Sequence, residues 1–112
     1  MLVADRYESV GGVAANVSQG LSLLGHKVAC MSCVGGDELG KWVIKEIKER
    51  GVDTTLIKKE AEAKTDLSAI VVMTQNGERT IFHNRDANEL LKVAPEDLQQ
   101  TEWIFVSALN GD

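Results

Sequence analysis

Gly11-Gly12-Val13-Ala14-Ala15-Asn16-Val17-Ser18, followed by Gly25 and then Gly35, is the stretch that decides the fold. From Ala14 to Leu24 the apolar positions Ala14, Val17, Leu21 and Leu24 recur at helical spacing, and Gly25 supplies the left-handed residue that ends a helix. Lys27 to Val34 is nearly continuously apolar over a strand's length, the pattern of a parallel strand covered on both faces. Gly35-Gly36-Asp37 then turns the chain. Asp37 is placed to cap a second helix that buries Leu39, Val43 and Ile47, with Lys45, Lys48 and Arg50 near the end where the helix dipole favours cations. Gly51 stops that helix, and Val52-Asp53 leads into an extended segment from Thr54 to Lys58. This rhythm predicts an α/β fold, a mainly parallel sheet with flanking helices.

The pattern changes further on. Leu67 to Thr74 and Arg79 to Asn84 are β-rich runs separated by Gln75-Asn76-Gly77-Glu78, and Asn-Gly between such runs predicts a hairpin. Pro95, with Glu96 and Asp97 behind it, opens a short helix. Trp103-Ile104-Phe105-Val106 is expected to return as a buried strand, with Asn110-Gly111-Asp112 as the last residues. No internal repeat or low-complexity tract is present.

The chain has 112 residues, enough for one small domain or part of one. Its 12 basic and 17 acidic side chains give a net charge of -5, and the basic residues are scattered, which argues against nucleic acid as a partner. No apolar run approaches the length needed to span a bilayer, and Met1 to Ser9 carries charges where a signal peptide would need its apolar stretch. A cytoplasmic protein without a membrane partner is expected. Cys30 and Cys33 have the C-x-x-C spacing of a redox pair or half a zinc site. Within an apolar strand, however, residues three apart face opposite ways, so buried, reduced core thiols are expected and no metal site.

Four residues are candidates for ligand binding. Paired glycines let backbone N–H groups approach a ligand, and the helix just beyond adds its free donors; Gly11-Gly12 is equally consistent with a tight turn. Asn16, near the first turn, offers both a donor and an acceptor, which suits a polyol hydroxyl. Arg85 either pairs on the surface with Asp86 or Glu89, or holds a carboxylate or phosphate by bidentate hydrogen bonds. His83 and His26 are expected to be surface or packing residues.

The glycine pair, Asn16, Ser18, Gly25 and Gly35 together resemble the N-terminal signature of the ribokinase-like (PfkB) carbohydrate kinases. The likeness continues through Val34-Gly35-Gly36-Asp37-Glu38-Leu39-Gly40, similar to the family's V-G-x-D-x-x-G turn, and through Gly51-Val52-Asp53. Thr65 and Gly77-Glu78-Arg79-Thr80 resemble strands that form a small antiparallel β lid over the sugar. At His83-Asn84-Arg85-Asp86-Ala87-Asn88, Asp86 stands where many members have the glycine of G-A-N, and Val13 stands where ribokinases often have Lys. The resemblance implies Gly11, Gly12 and Asn16 as substrate contacts, with Arg85 added for an acidic sugar.

It further implies that residues 1–112 form an incomplete ribokinase-like domain, lacking the family's first strand and its ATP-binding part with the G-x-G-D base. The full-length enzyme would then transfer the γ-phosphate of Mg-ATP to a sugar or sugar-acid hydroxyl, with a monovalent cation as a further candidate cofactor. These residues alone are expected to contain no catalytic residue, to bind no cofactor and to be inactive. A homodimer through the lid or exposed sheet edges is expected. The alternatives are a noncatalytic sugar-binding or assembly module, and part of a nucleoside kinase.

Overall fold

The computed structural model describes residues 4–109; Asn110-Gly111-Asp112 lies outside the described residues. Helix α1 spans Val13–Leu23. It ends at Gly25, whose φ of 91° is closed to most side chains. The Gly25 N–H bonds to the Ser22 carbonyl and the His26 N–H to the Leu21 carbonyl, the paired bonds of a Schellman cap.

Strand β1 (Ser32–Gly35) pairs in parallel with β2 (Ile57–Glu60), in register Ser32 with Ile57 through Gly35 with Glu60. The parallel pairing begins earlier, at an isolated bridge between Ala29 and Asp53. Strand β1 is therefore shorter than the apolar run from Lys27. The expected extended segment from Thr54 to Lys58 is likewise corrected: the Asp53 carboxylate accepts the Thr55 N–H at 2.9 Å, the chain turns, and the strand starts at Ile57.

Helix α2 (Glu38–Glu49) connects the two strands. As expected, the Asp37 side chain caps it, accepting the Gly40 N–H, and Gly51 ends it at a φ of 83°. The main core gathers Ala15, Cys30, Val34, Ile47, Val52 and Ile57, with Val10, Ala14, Val43 and Ile44 packed against it. A smaller cluster on the other side of β1 holds Cys33, Ala63 and Ala87, with Leu91 alongside. Cys30 and Cys33 thus lie in different clusters, both buried and free. Burial raises the pKa of each thiol, with the Glu60 and Asp66 carboxylates adding to the effect at Cys33.

Strands β3 (Leu67–Val72) and β4 (Arg79–Asn84) form the expected antiparallel ribbon, with Gly77 in its turn at a φ of 74°. Both faces of the ribbon are exposed. Two 3-10 turns follow, Ala87–Leu90 and Pro95–Leu98.

Two apolar patterns in the sequence are not matched by burial. Helix α1 buries Ala15, Ser18 and Gln19, while Leu24 is 77% exposed and Leu21 also faces out. The face with small side chains approaches the sheet: the Ser22 hydroxyl donates to the Arg50 carbonyl at 2.8 Å, and a Cβ at Gly51 would lie 2.8 Å from the Ser22 oxygen. Trp103-Ile104-Phe105-Val106 forms no strand among the described residues, and Trp103 is 88% exposed. Its β-rich composition is a preference for pleated, half-buried surface, and no described strand pairs with it to create one.

Candidate functional site

The C-terminal edge of the parallel pair collects the polar side chains. Helix α2 leaves this edge at Asp37, directly after β1, so its C-terminal end lies at the opposite edge. The Ser22–Arg50 bond brings the C-terminal end of α1 to that opposite edge too. Moving back along α1, Ser18 lies beside the Cys30 thiol and Ala15 packs in the cluster that contains Val34. Helix α1 therefore starts toward the edge where β1 ends, carrying Gly11, Gly12 and Asn16 with it.

Gly12 is the N-cap of α1 with φ 91° and ψ 143°, and no side chain caps the helix. Its first turn contains no acidic residue, so the N–H donors and the positive end of the dipole are left for an external acceptor. Gly11, Gly12 and Asn16 are all exposed, and a Cβ at either glycine would meet nothing within 4 Å. The glycine at 12 answers a conformational need. That at 11 leaves the approach open.

At the end of β1 stands a hydrogen-bonded junction. The Asp37 carboxylate caps α2 through the Gly40 N–H (2.9 Å), accepts the Thr65 N–H (2.9 Å) and accepts the Thr65 hydroxyl (2.6 Å). Thr65 Oγ1 in turn accepts the Gly35 N–H at 2.9 Å. These donors, the Thr65 hydroxyl first, hold the Asp37 carboxyl at about 2, below its ordinary 3.8. Gly35 and Gly40 are required by close approach: a Cβ at Gly35 would lie 2.5 Å from the Thr65 nitrogen and against the Ala63 carbonyl, and one at Gly40 would strike the Gly35 carbonyl.

Arg85 leaves the end of β4 just before Ala87, which packs in the cluster behind β1, so it stands near the same edge. It is exposed and makes no ion pair among the described residues, so the surface pair with Asp86 or Glu89 does not form. Asp86 instead accepts the Lys64 N–H at 2.8 Å. Asp66, which the sequence did not single out, accepts the N–H groups of Asp86 (2.9 Å) and Asn88 (3.3 Å). The signal for it was local: one acid directly before β3 and another two residues after β4, where ribbon pairing stops and backbone donors need acceptors. His83 is exposed and its Nδ1 lies 2.8 Å from the Ser68 hydroxyl across the ribbon, and His26 is exposed as well, as expected of surface residues. Gly11, Gly12 and Asn16 share no hydrogen bond with Arg85 among the described residues.

A family model described as pfkB family carbohydrate kinase matches residues 2–110. The chain is 30% identical over 102 residues to the aminoimidazole riboside kinase of Salmonella typhimurium, covering 88% of this chain and 32% of that protein. Among solved structures it is similar to the fructokinase of Halothermothrix orenii, with a TM-score of 0.71 and 27% identity over 80% of this chain and 31% of that one. It is also similar to an uncharacterized sugar kinase of Pyrococcus horikoshii in complex with ATP, with a TM-score of 0.61 and 31% identity over 70% of this chain and 26% of that one. The chain spans about a third of the length of the curated relatives it matches.

Proposed function

The chain belongs to the pfkB family of carbohydrate kinases, and on that premise we propose that it supplies the sugar-binding part of an ATP-dependent, cytoplasmic sugar kinase. The observation that carries this is the start of α1: a glycine N-cap with an uncapped first turn and an exposed Asn16 one turn further on. Backbone N–H groups there donate to sugar hydroxyl oxygens, and the Asn16 amide both donates to and accepts from a second hydroxyl. Gly11 keeps the approach open, and Arg85 is available to hold the carboxylate of a sugar acid in a fork of two N–H bonds. The ribbon of β3 and β4 is the lid that excludes water from the bound sugar. Its exposed apolar residues, Phe82 at 61% among them, also make it the contact for a homodimer.

Among the described residues no group of three His, Cys, Asp or Glu side chains is arranged to hold a metal ion. The 30% identity to a riboside kinase favours a nucleoside as the second candidate substrate, since an amide at position 16 meets the hydroxyls of a furanose whether or not it carries a base. The intact mass of the native gene product tests the assignment. A product long enough to carry a downstream G-x-G-D segment is expected; a native product of 112 residues would remove catalysis and leave a noncatalytic sugar-binding or assembly module.

A further inference from the structure

The base of the ribbon is tied by an exchange of carboxylates. Asp66 Oδ1, on the incoming side, accepts the N–H groups of Asp86 and Asn88 on the outgoing side at 2.9 and 3.3 Å. Asp86 Oδ2 returns the interaction, accepting the Lys64 N–H at 2.8 Å, and the Ala87 N–H donates to the Lys64 carbonyl at 3.1 Å. Four hydrogen bonds therefore bind residues 64–66 to residues 86–88, and in three of them the acceptor is a carboxylate, the stronger class of bond. The tie is continuous with the body of the fold. Thr65, between Lys64 and Asp66, is held by Asp37 and Gly35, and Ala87 is fully buried in the cluster behind β1.

Beyond the tie the ribbon stands by itself. Strand β3 pairs with β4 alone, and the side-chain bonds of residues 67–84 among those described, Ser68 to His83 and the Asn76 carboxamide to the Glu78 N–H, stay within it. The angle at which the ribbon leaves the body is thus set at its base.

We propose that Asp66 and Asp86 are paired positioning residues: their reciprocal clamp fixes the backbone of residues 85–88, and so aims Arg85 and the ribbon at the sugar. This rests on the reading of the adjacent edge as the sugar site.

The test uses the intact gene product with Asp66→Ala, Asp86→Ala and the matching Asn variants, whose amide oxygens can still accept. The alanine variants are expected to raise the sugar KM on the order of tenfold with the ATP KM unchanged, because a small displacement of a positioning group is costly. Amide hydrogen exchange at Lys64, Asp86 and Asn88 should accelerate while that of Ile70 and Ile81 does not, and the Asn variants should stay near wild type. An unchanged sugar KM in both alanine variants, or unchanged exchange at the three amides, overturns the proposal. Should an alanine variant fail to fold, Asp86→Glu keeps the charge, displaces the oxygen by one methylene and is expected to raise the KM in the same way. If the wild-type product phosphorylates nothing, the sugar-kinase reading fails, and the exchange data alone uphold or overturn the clamp.

Discussion

The Thr65 hydroxyl donates to the Asp37 carboxylate at 2.6 Å across 28 positions of sequence, joining the cap of α2 to the base of the β ribbon. Two parts of the chain that look independent in sequence meet at one side chain. The same hydroxyl oxygen accepts the Gly35 N–H, so the end of β1 is held in the same knot.

Thr65→Val should therefore cost more than its size suggests. Thr65 is buried, and a valine would leave the Gly35 N–H without an acceptor, a loss of about 1–3 kcal/mol. Denaturant unfolding of the variant checks this, and a double-mutant cycle with Asp37→Asn should show strong coupling between the two sites.

Acid should loosen the same junction. The Asp37 carboxyl is at about 2 in the folded chain against an ordinary 3.8, so the folded state binds fewer protons over that interval. Its stabilising contribution is complete above about pH 4 and is lost as pH falls through about 2. Stability measured against pH should fall across this window in the wild-type chain and fall less in Asp37→Asn.

Glycine substitutions should separate into two classes. At Gly35 or Gly40 an added Cβ meets backbone that cannot move aside, and Ala is expected to cost about 3 kcal/mol or to prevent folding. At Gly20, inside α1 with nothing within 4 Å, Ala should instead stabilise by roughly 0.5–1 kcal/mol. Melting temperatures of the three variants decide it.

The two cysteines should behave as core thiols. Both are buried, in different core clusters, with pKa values raised by burial. Disulfide reagents should react with them only on unfolding, and zinc should leave the melting temperature unchanged. Rapid native labelling would contradict this.

The exposed apolar side chains predict self-association of the 112-residue chain. Trp103, Ile104, Phe105 and Val106 are all more than half exposed, as is Phe82 on the ribbon. Sedimentation velocity should show concentration-dependent association, against which a strictly monomeric 12.2 kDa species would count.

What the sequence made legible were features that a single residue type controls locally. Gly25, Gly51 and Gly77 end or turn elements because each takes a positive φ, and Asp37 caps a helix because its carboxylate reaches a free N–H three residues on. The hairpin followed from Asn76-Gly77 and the flanking β-rich runs, while its register was seen only in the structure. What was misread depended on distant partners. Leu21 and Leu24 satisfied a helical period, yet the helix approaches the sheet through Ala15, Ser18 and Ser22. Trp103 to Val106 has strand composition, but composition does not supply a neighbouring strand. Of the candidate site, Gly11, Gly12, Asn16 and Arg85 could be named from residue chemistry, while the Asp66–Asp86 exchange exists only once the ribbon folds back on itself.

The most direct test is the rate of ATP-dependent phosphorylation by the intact gene product across fructose, ribose, 2-keto-3-deoxygluconate and a riboside, with and without Asn16→Ala. The wild type should phosphorylate at least one of these. Asn16→Ala, exposed and without a side-chain hydrogen bond among the described residues, should fold normally and raise the KM for that substrate by about tenfold or more, with the ATP KM unchanged. Phosphorylation of none of the four, or an Asn16→Ala enzyme with an unaltered sugar KM, would contradict the assignment of this edge as the sugar site.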